Sequence, residues 1–195
     1  MSTGPLVHRN LTVTSRTARE VAGFLTDGLL TVDTPYQRTS VWTLDQRRNL
    51  IRSWLLGVPI PAVLVNDRSA GPWTRATGRP DDHSPVLAAI DGRQRIETAA
   101  MWFGNELSVP ARWFPADDLT ILYGVARDTA YYCDLTRAGR STMALSRAFL
   151  PLAEAQLATL AEEAEVYLLV NSAGTSQTPE DLARAAAIAG KDVRP

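Results

Sequence analysis

Lysine is all but missing from this sequence: of its 20 basic residues only Lys191 is a lysine, and the others are arginines. Arginine offers a planar fork of donors suited to phosphate or carboxylate, although a GC-rich coding sequence produces the same bias. Histidine is nearly as scarce, with only His8 and His83, and neither sits in a cluster that holds a metal. The single Cys133 excludes an internal disulfide and agrees with a reducing compartment. In its Tyr-Tyr-Cys context it is expected to be a small buried apolar residue rather than a nucleophile. No apolar run approaches the roughly 20 residues of a membrane span. The start, "MSTGPLVHRNLTV", lacks the charged-then-apolar pattern of a secretory signal, so the expected location is the cytoplasm, with no membrane partner.

What is present describes an ordinary globular chain. At 195 residues, 45% hydrophobic and 21% charged, it is long enough for one domain with a substantial core. The net charge of −1 is unevenly spread: residues 1–60 carry seven arginines against four acids, whereas 116–195 carry seven basic residues against eleven acids. Any electrostatic footprint for nucleic acid is therefore expected toward the N-terminal half.

Local signals give the order of elements. Ser15 or Thr17 caps a first helix through the "TARE" capping box, and Val21, Phe24 and Leu25 form its apolar face. "LLTVDTPYQRTSVW" reads as a short strand entering an extended loop. Thr43 opens a second helix through "TLDQ", with Leu50, Ile51, Trp54 and Leu55 inward, and Gly57, Pro59 and Pro61 end it. "AVLVN" is a strand. Residues 67–84, rich in Gly, Pro, Asp and Ser, read as a surface loop or long hairpin. Val86 to Ile90 form a buried strand, and Ile96, Ala99, Ala100 and Phe103 give the next helix. "RWF" and "TAYYCDL" are candidate strands. Residues 152–170 are helical, with Leu157, Leu160, Ala161, Ala164 and Leu168 inward and Glu162, Glu163 and Glu165 outward. A last helix runs from the cap at Thr178 to Gly190.

Three polar islands carry candidate chemistry. In "IDGRQR", a turn between strand and helix, the helix start attracts anions, Gly92 permits close backbone approach, and Arg93 and Arg95 supply charge-assisted contacts to phosphoryl oxygens. Asp91 is placed to hold Mg²⁺ or a water. Taken alone the turn is better explained by capping, since Asp91 and Gln94 have the Asp-x-x-Gln spacing of a capping box. It is not a P-loop. The second island, "PYQRTSVW", sets Gln37 and Arg38 between Tyr36 and Trp42, which serve as aromatic anchors in the plainer reading. The third, Asn171 with Gly174, has the residues of a helix C-cap.

In this order, "PYQR...W", "GVPIP", "IDGRQR" and "VYLLVNSAGTSQTPEDL", the sequence resembles the N-terminal domain family of GmrSD-type restriction enzymes. Its typical forms are Tyr-Gln-Arg, Asp-Gly-Gln-Gln-Arg and Leu-Asn-x-x-Gly-Thr. The resemblance implies an α+β fold with a ParB/sulfiredoxin-like core, a small mixed sheet and flanking helices. It implies a nucleotide-binding core over residues 1–150 and a helical extension over 151–195 packed on it as one compact unit. It further implies an NTP with Mg²⁺ as cofactor, Asp91, Gln94 and Arg95 as catalytic residues with Asp91 on the metal, and Gly92, Arg93, Gln37, Arg38 and Asn171 as nucleotide-binding residues. Arg93 stands where the family has its first Gln, adding charge. Related enzymes carry a separate HNH nuclease domain, for which this sequence has no Cys/His/Asn cluster. The expected function is thus an NTP-binding and NTP-hydrolysing sensor or regulatory subunit on DNA in restriction or phage defence, with DNA, a separate nuclease subunit and further copies of the chain as partners. The alternative is a non-enzymatic DNA- or protein-binding module without turnover, with Arg9, Arg16, Arg19, Arg38, Arg47, Arg48 and Arg52 as phosphate contacts.

Overall fold

The computed structural model describes residues 11–172, apart from 38, 40, 79–80, 82–83 and 121–127, together with 183–184 and 187–188. The order of elements begins β1 (Thr12–Thr17), α1 (Ala18–Thr26), β2 (Leu30–Thr31), α2 (Leu44–Leu56) and β3 (Val63–Asp67). It continues α3 (Gly71–Thr77), β4 (Leu87–Asp91), α4 (Arg93–Phe103), β5 (Val109–Pro110) and β6 (Thr129–Ala130). It closes with α5 (Arg137–Thr142), β7 (Phe149–Ala155) and α6 (Leu160–Ser172). The fold class is α+β, as expected. No helix among the described residues is long and apolar enough to cross a membrane.

The capping signals act as the sequence indicates. Thr17 Oγ1 accepts the Glu20 N–H at the start of α1, and Thr43 and Gln46 complete a reciprocal box at the start of α2. Gly57, at φ 70°, closes α2 in the left-handed conformation.

A mixed five-stranded sheet runs β1-β7-β3-β4-β2. β1 pairs antiparallel with β7, β7 parallel with β3, β3 antiparallel with β4, and β4 parallel with β2. β5 and β6 form a separate two-stranded ribbon. Alternation along the strands sorts their side chains onto two faces. Val63, Val65 and Ala89 join the main core with Val21, Ile51, Trp54, Ile96 and Trp102 from α1, α2 and α4. Leu64 and Ile90 turn to the opposite face and pack with Tyr36, Leu157, Ala164 and Tyr167 around α6. The sheet is therefore covered on both sides.

Four expectations need correction. Residues 67–84 are not wholly loop, because Gly71–Thr77 form α3 with Pro72 in its first turn, where its missing N–H costs nothing. "RWF" is a 3₁₀ turn rather than a strand, and of "TAYYCDL" only Thr129–Ala130 is a strand while Tyr132–Asp134 is another 3₁₀ turn. That turn buries Tyr132 and Leu135, which leaves Cys133 between them exposed rather than buried. The helix expected from residue 152 begins at Leu160; Phe149–Ala155 form β7, which crosses the 150/151 division and lies between β1 and β3. Of the last helix, residues 183–184 and 187–188 are helical, and Thr178 and Gly190 lie outside the described residues.

Candidate functional site

The site grows from the end of β4. Asp91 closes the strand, Gly92 turns at φ 94° and ψ 13°, and α4 starts at Arg93. A Cβ on Gly92 would lie 2.9 Å from Val63 Cβ and 3.0 Å from Arg95 Nη2. Glycine is required here by backbone conformation and by the neighbouring strand, not only by the approach of a ligand.

The capping-box reading of Asp91 and Gln94 does not hold, because the N-cap is Gly92 and makes no side-chain capping bond. The side chains are used elsewhere. Asp91 Oδ2 accepts from Arg95 Nη2 at 2.7 Å, and Gln94 Oε1 accepts the Trp42 N–H at 3.1 Å. Arg93 reaches Glu97 at 2.7 Å, Asp33 at 2.9 Å and the Val32 carbonyl at 3.1 Å. The helix start thus lacks a side-chain cap, and its positive dipole end is available to an anion.

All three islands meet at this helix start. A cavity of about 260 Å³ is lined by Gln37 and Trp42, by Asp91 to Arg95, and by Tyr167 and Asn171 from α6. Gln37 donates from Nε2 to the carbonyls of Ala89 at 2.7 Å and Ile90 at 2.9 Å. Its Oε1 has no partner among the described residues although Gln37 is only 9% exposed, and Arg95 Nε is likewise buried without a partner among them. Buried polar atoms are rarely left unpaired, and these two belong to residues that line one cavity. Arg184 Nη1 adds a bond to the Gln37 carbonyl at 3.3 Å. Arg38 and Gly174 lie outside the described residues. Among the described residues no group of three or more His, Cys, Asp or Glu is arranged to hold a metal, and Asp91 is the only carboxylate lining the cavity.

Behind the cavity lies a polar network that the helical periodicity misplaced. Glu163, expected on the outer face of its helix, is fully buried. Its carboxylate accepts from Asn66 Nδ2 at 2.8 Å, from Arg68 Nε at 2.9 Å and Nη2 at 2.7 Å, and from Tyr36 Oη at 3.1 Å. Asn66 Oδ1 in turn accepts the Leu157 N–H at 2.7 Å, and the Arg68 guanidinium lies 4.6 Å over the Trp73 ring of α3. The network ties α6 and the Tyr36-Gln37 segment to β3. Glu163, Tyr167 and Asn171 are spaced i, i+4, i+8, so one stripe of α6 carries both the anchor and the cavity wall. That spacing was the signal in the sequence; the partners of Glu163, 95 and 97 positions away at Arg68 and Asn66, gave none.

Burial, and next to it the Glu163 charge, hold the Tyr36 phenol well above its usual range. The folded state therefore keeps this proton to higher pH than the unfolded chain, whose tyrosines titrate near about pH 10. Its contribution to stability is complete below that pH and is lost as pH rises above it. Denaturant titrations between pH 9 and 11.5 are expected to show a fall in stability that Tyr36→Phe makes shallower; an unchanged slope in the variant would assign the fall to other groups.

A model of the family described as GmrSD restriction endonuclease, N-terminal domain, matches residues 21–188. No curated protein and no solved structure matches the chain.

Proposed function

The chain belongs to the GmrSD restriction endonuclease N-terminal domain family, and on that premise we propose that it is the nucleoside-triphosphate-binding sensor module of a DNA restriction system. The observation that carries the proposal is the convergence of Gln37, the Asp91-to-Arg95 turn and Asn171 on one cavity, with Gln37 Oε1 and Arg95 Nε buried without a partner among the described residues. A phosphate suits this lining. The start of α4 attracts negative charge and Arg95 donates to a phosphoryl oxygen, while Arg93 is held by Glu97 and Asp33. At about 260 Å³ the cavity falls just under the roughly 300 Å³ from which pockets for whole small molecules begin. It suits the phosphates, leaving sugar and base outside it.

The residues also fit Mg²⁺ in the manner usual for nucleotide sites, in which one or two carboxylates and the phosphates share the ion. Asp91 supplies the carboxylate through the oxygen that Arg95 does not occupy. The metal would neutralise charge on the phosphates. Because Asp91 is held by Arg95, the arrangement favours binding over turnover, and hydrolysis would need that pair to open.

Calorimetry with each of the four NTPs and Mg²⁺ tests the proposal. One or more should bind, and Arg95→Ala is expected to weaken binding by at least about tenfold, the loss of a single charge-assisted contact of about 1.5–3 kcal/mol. Equal absence of binding in wild type and variant overturns it.

A further inference from the structure

A second cleft lies away from the α4 start. It measures about 490 Å³ and is lined by Arg19 of α1, Asn105 just past α4, and Arg137, Arg140 and Ser141 of α5, with Cys133 at its edge. No carboxylate of the described residues lines it. Arg19 and Arg137 are exposed and form no ion pair among the described residues, while Arg140 donates to the carbonyls of Cys133 at 3.1 Å and Leu135 at 2.9 Å, which fixes its guanidinium without neutralising it.

The helix that supplies this face is built for it. Arg137, Arg140, Ser141, Ala144 and Leu145 recur at i, i+3, i+4, i+7 and i+8, one continuous stripe. Gly139 occupies the opposite side, where a Cβ would meet the Asp118 carbonyl at 2.8 Å, so Asp118 lies behind the helix from the cleft. The Asp134 carboxylate is turned to the Tyr131 N–H at 2.9 Å. Two unusual backbone features border the cleft. Asn105, whose Oδ1 accepts the Cys133 N–H at 2.7 Å, is the only non-glycine residue at positive φ (64°) among the described residues, and α5 continues as a π-helical turn over Met143–Arg147. Backbone strain and π turns concentrate at functional sites.

We infer that this cleft is a contact site for the phosphodiester backbone of double-stranded DNA. Isolated arginines in water gain little from a single small anion, because the charge is screened. A polyanion offers a phosphate to each arginine and releases condensed counterions as it binds, so exposed and uncompensated cations suit a polymer better than a free phosphate. The paired N-terminal arginines fit this role less well. Arg16 is paired with Glu20 at 2.7 Å, Arg47 with Glu97 at 3.4 Å and Arg48 with Asp45 at 3.9 Å, and Arg52, though exposed, does not line the cleft. Arg9 and Arg38 lie outside the described residues. Of that group Arg19 alone lines the cleft, and the footprint moves to α5.

The test is fluorescence anisotropy of the whole chain with a labelled duplex over a salt series. Arg19→Ala and Arg137→Ala should each weaken binding about tenfold and reduce the slope of log affinity against log salt by about one. Arg75→Ala, an exposed cation on α3, should do neither, and NTP calorimetry should match wild type in all three. Failure of wild type to bind the duplex at low salt, or an unchanged slope in the Arg19→Ala/Arg137→Ala double variant, overturns the inference. So does ATP binding to the Arg95→Ala protein that the double substitution abolishes, because the cleft would then take free triphosphates. The duplex-binding outcomes do not bear on the cavity at α4, which the calorimetry tests separately.

Discussion

Glu163→Ala should destabilise the protein by about 3–5 kcal/mol, the cost of leaving one member of a buried ion pair without the other. The carboxylate is fully buried and receives four hydrogen bonds from Asn66, Arg68 and Tyr36. Its removal strands the Arg68 guanidinium, whose side chain is largely buried, and takes from the Tyr36 hydroxyl its carboxylate acceptor. Against a total stability of about 5–15 kcal/mol the loss is large. For a chain of this size it corresponds to a drop of roughly 6–20 °C in melting temperature, readable by calorimetry or circular dichroism. Glu163→Gln, which keeps the shape and an acceptor but presents an amide to Arg68, should fall between. The double variant Arg68→Met/Glu163→Leu should recover most of the loss, since replacing both charges with apolar groups of similar size is often neutral. A cost below about 1 kcal/mol for Glu163→Ala would place the pair with ordinary surface salt bridges.

Gly92→Ala is the second change expected to have a large effect, and its cost has two separable parts. Forcing an L-residue to φ 94° costs at least about 1–2 kcal/mol. The new methyl also enters the space of Val63, with Cβ to Cβ at 2.9 Å, and overpacking of this kind adds about 1–3 kcal/mol. Val63→Ala in the same chain should return the steric part and leave the backbone part, a non-additivity that a double-mutant cycle measures. If Gly92 serves only close approach to a ligand, stability will be unchanged and nucleotide binding alone will fall.

These two residues mark where the sequence is legible and where it is not. The turn around Gly92 could be read because everything it needs is local: an apolar strand, an Asp-Gly pair, and helical spacing from Ile96 onward. Thr17, Thr43 and Gly57 were equally readable, since a cap acts within four residues of itself. Glu163 could not be read, because acidic residues on an Ala- and Leu-rich helix ordinarily face water, and only Asn66 on β3 and Arg68 just past it reverse that. β7 was hidden in the same way. "FLPLAEA" is rich in Leu, Ala and Glu, good helix formers, and it is a strand because β1 and β3 pair with it on both sides; tertiary pairing overrides local propensity. α3 was obscured by the opposite error, since Gly71 and Pro72 read as loop although Pro suits a first helical turn. Of the candidate site, the sequence identified Gln37, Asp91 to Arg95 and Asn171. It marked Trp42 only as an anchor, and it missed Tyr167 and the buried support beneath it.

The position of β7 also governs how the chain comes together during synthesis. β1 finds its only described partner in β7, and the pairing of Thr12 with Glu154 spans 142 positions. Until the ribosome has released that strand, the first segment has nowhere to dock and β3 shows an open edge, the kind of surface that invites pairing with other chains. Closing so long a loop is also slow, because its entropy is spent before the contacts form. The nascent protein therefore spends most of its translation with its sheet unclosed, and completes it only as α6, the wall of the cavity, emerges behind.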